Sequence, residues 1–392
     1  MSPSIETWAQ KNLPASGGFL VPGAGLEPAR LLRTQDFESS ASTNSATRAY
    51  RRDAKVLKKY LYLQIMAKAF ENMRVVSGSG ILEVVPLLKD YKDIFVVADA
   101  AVQAQIAPLL EAIKPKASLT LRGGEAVKSL STVEEIASWL MASGAGRDAF
   151  MLIVGGGTIS DVSAFAASIY KRGIKFGIVP TTLLAQVDAA IGGKNAVDFD
   201  GVKNVLGTFC PPEFTFICPA FLETLPRKEF LCGATELLKT LIISGQGYDD
   251  AVAHLKAGVC PLGLITDAAR FKAALVEQDP YDNGARRALN LGHTYGHAIE
   301  AVSGLPHGEA VAIGIIMAAQ LAEKLGKAEK GFAAMLEADF AAIGLPTKCP
   351  VEVGQLEELV RQDKKAAGGV VRFILPVGIG QIEEYDLRIA KK

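Results

Sequence analysis

The stretch FMLIVGGGTISD, residues 150–161, decides the fold class of this 392-residue chain. It begins with a continuous apolar run, which is typical of a strand buried on both faces of a parallel sheet. Three glycines follow at once. A glycine turn before a helix lets the backbone approach a pyrophosphate, whose charge the helix N-terminus favours. The pattern is not GxGxxG, and glycine turns are common in α/β proteins, so this stretch alone supports a dinucleotide site and an ordinary turn about equally.

Apolar runs on both sides of this stretch extend the same pattern. They are IFVVAD (94–99), SLTLR (118–122), KFGIVPTT (175–182) and FTFICP (214–219). Helical patterns separate some of the runs, which predicts βα units and a mostly parallel sheet. We expect an α/β nucleotide-type domain at 73–224 and a mainly helical domain at 225–392, with a cleft between them.

The two ends of the chain carry separate patterns. Residues 1–72 combine Gly/Pro-rich, Ser/Thr-rich and apolar helical pieces, which predicts an extension that packs on the body. The tail VVRFILPVGIGQIEEY, at 370–385, is β-like. The start lacks the apolar core of a secretory signal. Its Ser- and Arg-containing segment leaves an organellar transit role open, although acidic residues weaken that interpretation.

Composition excludes several classes of function. Lys plus Arg and Asp plus Glu both number 42, so nothing indicates a nucleic-acid partner. No apolar run reaches the roughly 18 residues of a membrane span. The five cysteines are scattered and lack CxxC spacing, as expected of buried thiols in a reducing compartment. We therefore expect a cytoplasmic protein.

Two lysine-bearing segments surround the glycine turn in sequence. RGGEAVK, at 122–128, places Glu125 and Lys128 on a turn. QVDAAIGGKNAVDFDGVKNVLG, at 186–207, combines two lysines and an amide in what we interpret as a glycine-containing loop. Such a loop suits a phosphate or carboxylate ligand. The alternative is a solvated surface loop.

The histidines are concentrated in one place. Three of the four, His293, His297 and His307, lie within RALNLGHTYGHAIEAVSGLPHGEA at 287–310. The first two share one helical face, and the turn SGLP can fold the third back beside them. A metal site also needs a carboxylate or thiolate, and Glu236 in GATELLK is an acid flanked by apolar residues. Although lone histidines are more often core residues, this clustering favours a metal and proton-transfer site.

The charged stretch KAALVEQDPYDNGARRALN, at 272–290, precedes these histidines. Such charges usually form a solvated face. The proximity to the histidines favours anion binding by Arg286.

Seven motifs, taken together, resemble the 3-dehydroquinate synthase family. They are GGGTISD, YKRG, PTTLLAQVDAAIGGK, KN, ATELLK, RALNLGHTYGHAIE and HGEAVAIG, in this order. The resemblance covers residues 75–385. It implies a Rossmann-like NAD-binding domain at 73–224 and a helical metal- and substrate-binding domain at 225–392. It also implies bound NAD, one divalent metal (zinc or cobalt) and a small sugar-acid phosphate as substrate. We also expect a homodimer without nucleic-acid or membrane partners.

The resemblance also implies roles for individual residues. The metal ligands would be Glu236, His293 and His307. His297 would handle protons at the substrate, and Asp282 would stand where the family places a glutamate proton acceptor. The implied dinucleotide contacts are Asp99, Glu125, Lys128, Gly156, Gly157, Thr158, Asp161, Thr181, Thr182, Lys203 and the segment from Phe221 to Thr224. The implied substrate contacts are Arg172, Asp188, Lys194, Asn204, Lys239, Lys272, Arg286, Asn290, His297 and Arg372.

Three positions depart from the family pattern. Ala101 replaces an asparagine beyond the strand-end Asp99, which affects one contact on the ribose or adenine side. Ser160 replaces a glycine, a modest change if its φ is negative. Asp282 is one methylene shorter than glutamate.

The resemblance implies a lyase that converts 3-deoxy-arabino-heptulosonate 7-phosphate to 3-dehydroquinate, a shikimate-pathway step, with phosphate release. In that reaction the cofactor ends unchanged. The alternatives are a cyclase acting on sedoheptulose 7-phosphate or a similar sugar phosphate, a glycerol-type metal-dependent alcohol dehydrogenase, and an inactive relative serving as a scaffold. The carboxylate-binding set Lys272, Arg286 and Asn290 favours dehydroquinate.

Overall fold

The computed structural model describes residue 70, residues 73–352, residue 356 and residues 370–388. Apart from Phe70, the predicted extension 1–72 lies outside the described residues. Within the described residues, no helix combines the length and apolar character needed to cross a membrane. All five cysteines are free thiols, of which Cys218 and Cys232 are buried and the others half-buried.

A six-stranded parallel sheet forms the first half of the described chain, which confirms the predicted α/β class. Its strands are β1 (Arg74–Ser77), β2 (Ile94–Asp99), β3 (Ala117–Leu121), β4 (Phe150–Gly155), β5 (Lys175–Pro180) and β8 (Phe214–Ile217). Their spatial order is β1-β8-β5-β4-β2-β3. The sequence analysis missed β1, the short edge strand.

Helices cover both faces of this sheet. They are α1 (Val85–Leu88), α2 (Gln103–Ile113), α3 (Leu130–Ala142) and α4 (Gly157–Ile169). Alternate residues of β4 enter different cores: Met151 and Ile153 pack into one, Phe150 and Leu152 into the other. Burial on both faces explains why β4 is a continuous apolar run rather than an alternating one.

The second half is mainly helical, as predicted. It contains α5 (Arg227–Ser244), α6 (Tyr248–Lys256), α7 (Leu262–Gln278), α8 (His293–Ser303), α9 (His307–Lys324) and α10 (Phe332–Ile343). Helix α5 is buried along most of its length. It contacts α6, α7 and α9, and this single core also takes in the tail hairpin.

Two antiparallel hairpins complete the fold. The predicted β-like tail forms β9 (Val370–Gly378) and β10 (Gln381–Arg388), and β9 packs against α9. The stretch 186–207, interpreted above as a loop, is instead ordered. A π-helical turn (Ala185–Ala189) is followed by the strands β6 (Lys194–Phe199) and β7 (Val202–Phe209). The loop interpretation was therefore wrong, because two glycines with positive φ, Gly192 and Gly193, only separate the turn from the hairpin.

Candidate active site

Three helices bring a carboxylate and two imidazoles together. Glu236 lies in the middle of α5 and is fully buried, while His293 and His307 are the first residues of α8 and α9. One ligand atom from each lies within 4.8 Å of the others. The short connection after Ser303 reverses the chain, so His307 returns beside His293, as the sequence predicted.

The ring nitrogens of both histidines are arranged for metal binding. Nδ1 of His293 lies 3.1 Å from the Leu291 carbonyl oxygen, and Nδ1 of His307 lies 3.0 Å from Glu300 Oε2. If each Nδ1 donates in these contacts, each Nε2 keeps its lone pair. Both Nε2 atoms face Glu236 Oε1, at 3.9 Å for His293 and 3.4 Å for His307.

The surroundings of the buried Glu236 carboxylate suit a bound cation. Among the described residues, neither Glu236 oxygen accepts a well-directed hydrogen bond, although Lys239 contacts Oε2 as an ion pair. Leaving a buried carboxylate without hydrogen bonds is costly. Two imidazoles and one carboxylate form a mixed N/O set of the kind that zinc-like ions bind.

The protonation of this cluster is strongly perturbed. Burial, with help from the Lys239 cation, lowers the pKa of His293 to about 3. Burial also opposes charge on His307, but the nearby Glu236 and Glu300 carboxylates outweigh it and raise that pKa to about 10. Burial disfavours charge on Glu236 too, yet Lys239 and the histidines hold its pKa well below the usual value. The carboxylate is therefore ionised and His293 neutral, whereas His307 carries a second proton, on Nε2, that a bound metal would replace.

Two buried lysines and Asp188 lie beside the cluster. Lys239 Nζ is 3.8 Å from Asp188 Oδ2, and Lys272 Nζ contacts Asp188 Oδ1 and donates to its backbone oxygen at 2.6 Å. Asp188 belongs to the π-helical turn, which Gln186 fixes by donating to the carbonyls of Pro180 and Cys218. Asp188 is therefore shared between two lysines, of which Lys239 also contacts Glu236.

The pKa values of the two lysines reflect this sharing. Burial lowers the pKa of Lys272 to about 8, partly offset by Asp188. Burial also penalises charge on Lys239, but Asp188 and Glu236 outweigh it and raise that pKa. Lys272 is thus the cation that an additional anionic ligand would stabilise most.

The loop around Arg286 closes the pocket. Arg286 is 3% exposed; it donates from Nη1 to the Pro280 oxygen at 2.8 Å and from Nη2 to the Gly192 oxygen at 3.2 Å. Asp279 accepts the backbone N–H groups of Asn283, Gly284 and Arg286. Asp279, which lies in the charged stretch 272–290, therefore holds the backbone of this loop in place.

Asp282 has an unusual backbone. Its φ is +60°, a left-handed conformation that aspartate adopts more readily than most residues. Lys194 Nζ lies 2.6 Å from Oδ2, while Oδ1 is buried and accepts no hydrogen bond from the described residues. The carboxylate keeps one oxygen for proton exchange or ligand contact.

A second set of predicted residues gathers at the carboxyl ends of the parallel strands. Gly156 caps α4 in an extended conformation, and a Cβ there would lie 2.9 Å from Thr182 Cγ2. Thr158 Oγ1 accepts the Gly124 N–H at 3.4 Å. Ser160 lies inside α4, so its backbone is helical and serine suffices. The N-terminus of α4 therefore presents backbone N–H groups of the kind that bind an anion.

Lys128 joins three predicted segments. Its Nζ donates to Asp161 Oδ2 at 2.8 Å and to Asn204 Oδ1 at 2.5 Å. Burial raises the pKa of Asp161 to about 6, against the opposing effect of Lys128. Within the β6–β7 hairpin, the Asn204 N–H donates to Asp198 Oδ1 at 2.7 Å, which fixes Asn204 beside Lys128. Lys128 and Asp161, which come from two motifs that are weak signals on their own, therefore form one ion pair.

Asp99 and Lys203 both contact the segment 122–128 that follows β3. Asp99 Oδ1 accepts the N–H groups of Ala101 at 3.0 Å and Gly123 at 3.4 Å. Lys203 Nζ lies 3.6 Å from Glu125 and 2.7 Å from Glu300 Oε1. Thr181 is buried behind the edge, where its N–H donates to the Gly155 oxygen.

Other predicted residues are less closely connected. Arg372 donates to both oxygens of Asp386, at 2.8 and 3.2 Å, although its backbone oxygen accepts from Thr294 of α8. The Phe221 side chain is buried in the core, so a cofactor contact there would use the backbone. The exposed members are Arg172, Thr224, Asn290 and His297. The roles assigned to all these site residues stay predictions.

Glu300 was missed by the sequence analysis. It ends the motif GHTYGHAIE on the same helix as His293 and contacts both His307 and Lys203. The sequence signal that could have identified Glu300 was an acidic residue close to two histidines. The ring of His297 lies 5.2 Å from that of His293 and 5.9 Å from that of His307, so it borders the cluster.

Comparison with known proteins identifies the family. The 3-dehydroquinate synthase N-terminal family model matches residues 118–232, and the C-terminal one matches residues 233–366. A 3-dehydroquinate synthase of Shewanella loihica is 40% identical over 296 residues, which cover 72% of this chain and 82% of that protein.

Two solved structures share the architecture. A 2-epi-5-epi-valiolone synthase from Streptomyces hygroscopicus subsp. jinggangensis, with NAD+ and Zn2+ bound, gives a TM-score of 0.72 at 26% identity, covering 81% of this chain and 93% of that one. A 2-deoxy-scyllo-inosose synthase complexed with carbaglucose-6-phosphate, NAD+ and Co2+ gives a TM-score of 0.71 at 27% identity, with coverages of 80% and 93%. Identity is higher to the dehydroquinate enzyme, and both family models match over most of the described residues. This chain therefore belongs to the 3-dehydroquinate synthase family.

Proposed function

We propose that this protein is a 3-dehydroquinate synthase, a carbon–oxygen lyase that converts 3-deoxy-arabino-heptulosonate 7-phosphate to 3-dehydroquinate in the shikimate pathway. The observation that carries the proposal is the junction at Lys239. This buried lysine contacts Glu236 of the imidazole cluster and lies 3.8 Å from Asp188 of the anion pocket. A metal-type site and a carboxylate-type site are thus adjacent, which suits a substrate bearing both hydroxyl groups and a carboxylate.

The cofactors we propose are NAD and one zinc or cobalt ion, the groups bound in the two solved relatives. NAD would lie at the strand ends, against Gly156, Gly157, Thr158 and Asp161. Glu236, His293 and His307 would hold the metal. When bound, the nicotinamide supplies reversible hydride exchange and the metal polarises hydroxyl and ketone oxygens.

The chain's own side chains supply binding and proton transfer. Lys272 and Arg286 hold the substrate carboxylate, with Asn290 beside them. Lys194 and Asn204 hold the phosphate, together with Arg172 and with Arg372 once it leaves Asp386. The C–O bond to phosphate breaks as a proton leaves the neighbouring carbon, and His297 and Asp282 are the residues that handle protons in this proposal. Asp188 and Lys239 fix the charge balance between the two subsites.

The proposed division of the chain is an α/β domain at 73–224 and a helical domain at 225–392. The turn Pro219–Thr224 ends at this boundary, and α5 starts just after it. The two family models meet at residues 232 and 233, inside α5, so this helix serves both. We further propose a cytoplasmic homodimer acting on a small molecule, without nucleic-acid or membrane partners.

Phosphate release tests the function. Purified protein with trace NAD and Zn2+ is given the heptulosonate phosphate, sedoheptulose 7-phosphate or glucose 6-phosphate in parallel. We expect release only from the first, with no accumulation of NADH. Equal turnover of sedoheptulose 7-phosphate would assign a related cyclase instead. Steady NADH accumulation would assign a dehydrogenase.

A further inference from the structure

We propose that Glu300 is a positioning residue that fixes the ring of His307 and ties it to Lys203 on the β6–β7 hairpin. The inference rests on the proposed function only in treating Glu236, His293 and His307 as metal ligands. It assigns a role to a residue outside that set and links two parts of the site that lie far apart in sequence.

The first contact orients the imidazole. Glu300 Oε2 lies 3.0 Å from His307 Nδ1, on the side of the ring away from Glu236. Nε2 of the same ring lies 3.4 Å from Glu236 Oε1. A carboxylate that accepts the Nδ1 proton fixes the tautomer and directs the Nε2 lone pair into the cluster. The neutral Leu291 carbonyl orients the His293 ring in the same way. Of the two histidines, only His307 is oriented by a charged partner.

The second contact reaches the other half of the site. Glu300 Oε1 accepts a hydrogen bond from Lys203 Nζ at 2.7 Å, and Lys203 also lies 3.6 Å from Glu125. Lys203 is on β7, and Glu125 is on the turn beside the α4 N-terminus. Glu300 is the more buried partner, with a side chain 18% exposed against 58% for Lys203. A single carboxylate therefore bridges the metal-ligand candidate and the cofactor-side hairpin.

Glutamine cannot replace this arrangement. Its side chain offers one accepting oxygen and one donating amide, whereas Glu300 accepts from two donors. Either His307 or Lys203 would then face an N–H group. Loss of such an outer-shell partner typically lowers metal affinity by about 10- to 100-fold.

The test uses the full chain loaded with Co2+. Chelator competition gives the Co2+ and Zn2+ affinities, and the visible spectrum of bound Co2+ reports ligand geometry. The variants are Glu300→Gln, Glu300→Asp, Lys203→Met and the double variant Glu300→Gln/Lys203→Met. Glu337→Gln is the matched control, because Glu337 is also a half-buried helical carboxylate paired with a lysine, Lys348, away from the site.

We expect Glu300→Gln to lower metal affinity about 10- to 100-fold and to change the Co2+ spectrum. Glu300→Asp, which keeps both acceptors, should recover part of both. Lys203→Met should lower metal affinity a few-fold in the wild-type background and have no further effect in the Glu300→Gln background, because the link is already broken. Glu337→Gln should match wild type.

Two results would overturn the proposal. One is a Glu300→Gln protein with wild-type metal affinity and spectrum. The other is an equal effect of Lys203→Met in both backgrounds, which would show that the lysine acts without Glu300. If Glu300→Gln does not fold, Lys203→Met decides the question, since an unchanged metal affinity there also refutes the link. Metal affinity needs no substrate, so failure here is distinguishable from failure of phosphate release in the wild type.

Discussion

The two halves of the site are built in different ways. At the strand ends, the cofactor side is mostly backbone and small side chains, such as the turn Gly156–Thr158. Among the helices, the metal and substrate side consists of buried charged groups, and Glu236, Lys239, Lys272 and Arg286 are all at most 7% exposed. The cofactor side depends on small residues that leave room for a ligand. The metal and substrate side depends on buried charges that are paired.

This difference predicts opposite sensitivities. Removing a side chain should be most harmful in the helical half, because each buried charge leaves a partner uncompensated. Adding a side chain should be most harmful at the strand ends, where a new Cβ crowds a predicted ligand contact such as Thr182. The predictions below test this contrast, from the largest expected effect to the smallest.

Loss of a metal ligand should have the largest effect. His293→Ala removes an imidazole whose Nε2 faces Glu236, and we expect bound metal to fall by more than about 100-fold, beyond the outer-shell range. His297→Ala is the matched control, since it should keep the metal and slow turnover. Elemental analysis after dialysis measures both. Full metal content in His293→Ala would remove this histidine from the ligand set.

Loss of the planar guanidinium should come next. Arg286→Lys keeps the charge, but one ammonium group cannot serve the Pro280 and Gly192 oxygens and also grip a carboxylate in two places. We expect kcat/KM for the heptulosonate phosphate to fall at least about tenfold, with NAD and metal still bound. Arg270→Lys, on the exposed face of α7, is the control. Unchanged kinetics in Arg286→Lys would argue against carboxylate binding by this residue.

These two predictions also separate what the sequence could and could not predict. Periodicity predicted β2, β4, β5 and the long helices, because strands buried on both faces and helices in one core carry strong apolar patterns. The edge strand β1 was missed because it is four residues long and mostly half-buried. The hairpin β6–β7 was missed because glycines and charges obscured its alternation.

For the site, local spacing was informative and distant pairing was not. Helical spacing brought His293 and His297 onto one face, and a turn signal returned His307. The Lys272–Asp188 pair is separated by 84 residues and the Arg286–Gly192 contact by 94. Such contacts depend on how whole elements pack, so residue types alone could not distinguish these pairs from a solvated charged face.

An added methyl group tests the cofactor half. Gly156→Ala places a Cβ 2.9 Å from Thr182 Cγ2, although the φ of −73° at this position suits alanine. Crowding of this kind costs about 1–3 kcal/mol of stability. Because relieving it displaces Thr182, a predicted NAD contact, we expect NAD affinity to fall by roughly tenfold. Metal content should not change. Gly146→Ala, whose Cβ would have only an ordinary 4.0 Å contact, is the control. Equal NAD affinity in wild type and Gly156→Ala would break the contrast between the two halves.

The smallest expected effect is a pH dependence of the helical half. Burial lowers the pKa of Lys272 to about 8, so its charge is lost as the pH rises through that value. Because kcat/KM reports the free enzyme, it should fall about fourfold between roughly pH 7 and 8.5, following the charged fraction of a group with that pKa. Lys272→Arg, with a cation that does not titrate in this range, should have a flatter profile even if its activity is lower.

Stability should move in the opposite direction over the same range. The unfolded lysine keeps its proton up to a pKa near 10.5, whereas the folded one releases it near 8. Between these values the unfolded state binds more protons, so this residue makes the free energy of unfolding increase with pH. Denaturant titrations of wild type and Lys272→Met at several pH values isolate that contribution. An alkaline loss of activity that persists unchanged in Lys272→Arg would instead place the titrating group elsewhere, and the substrate carboxylate would then depend on Arg286 alone.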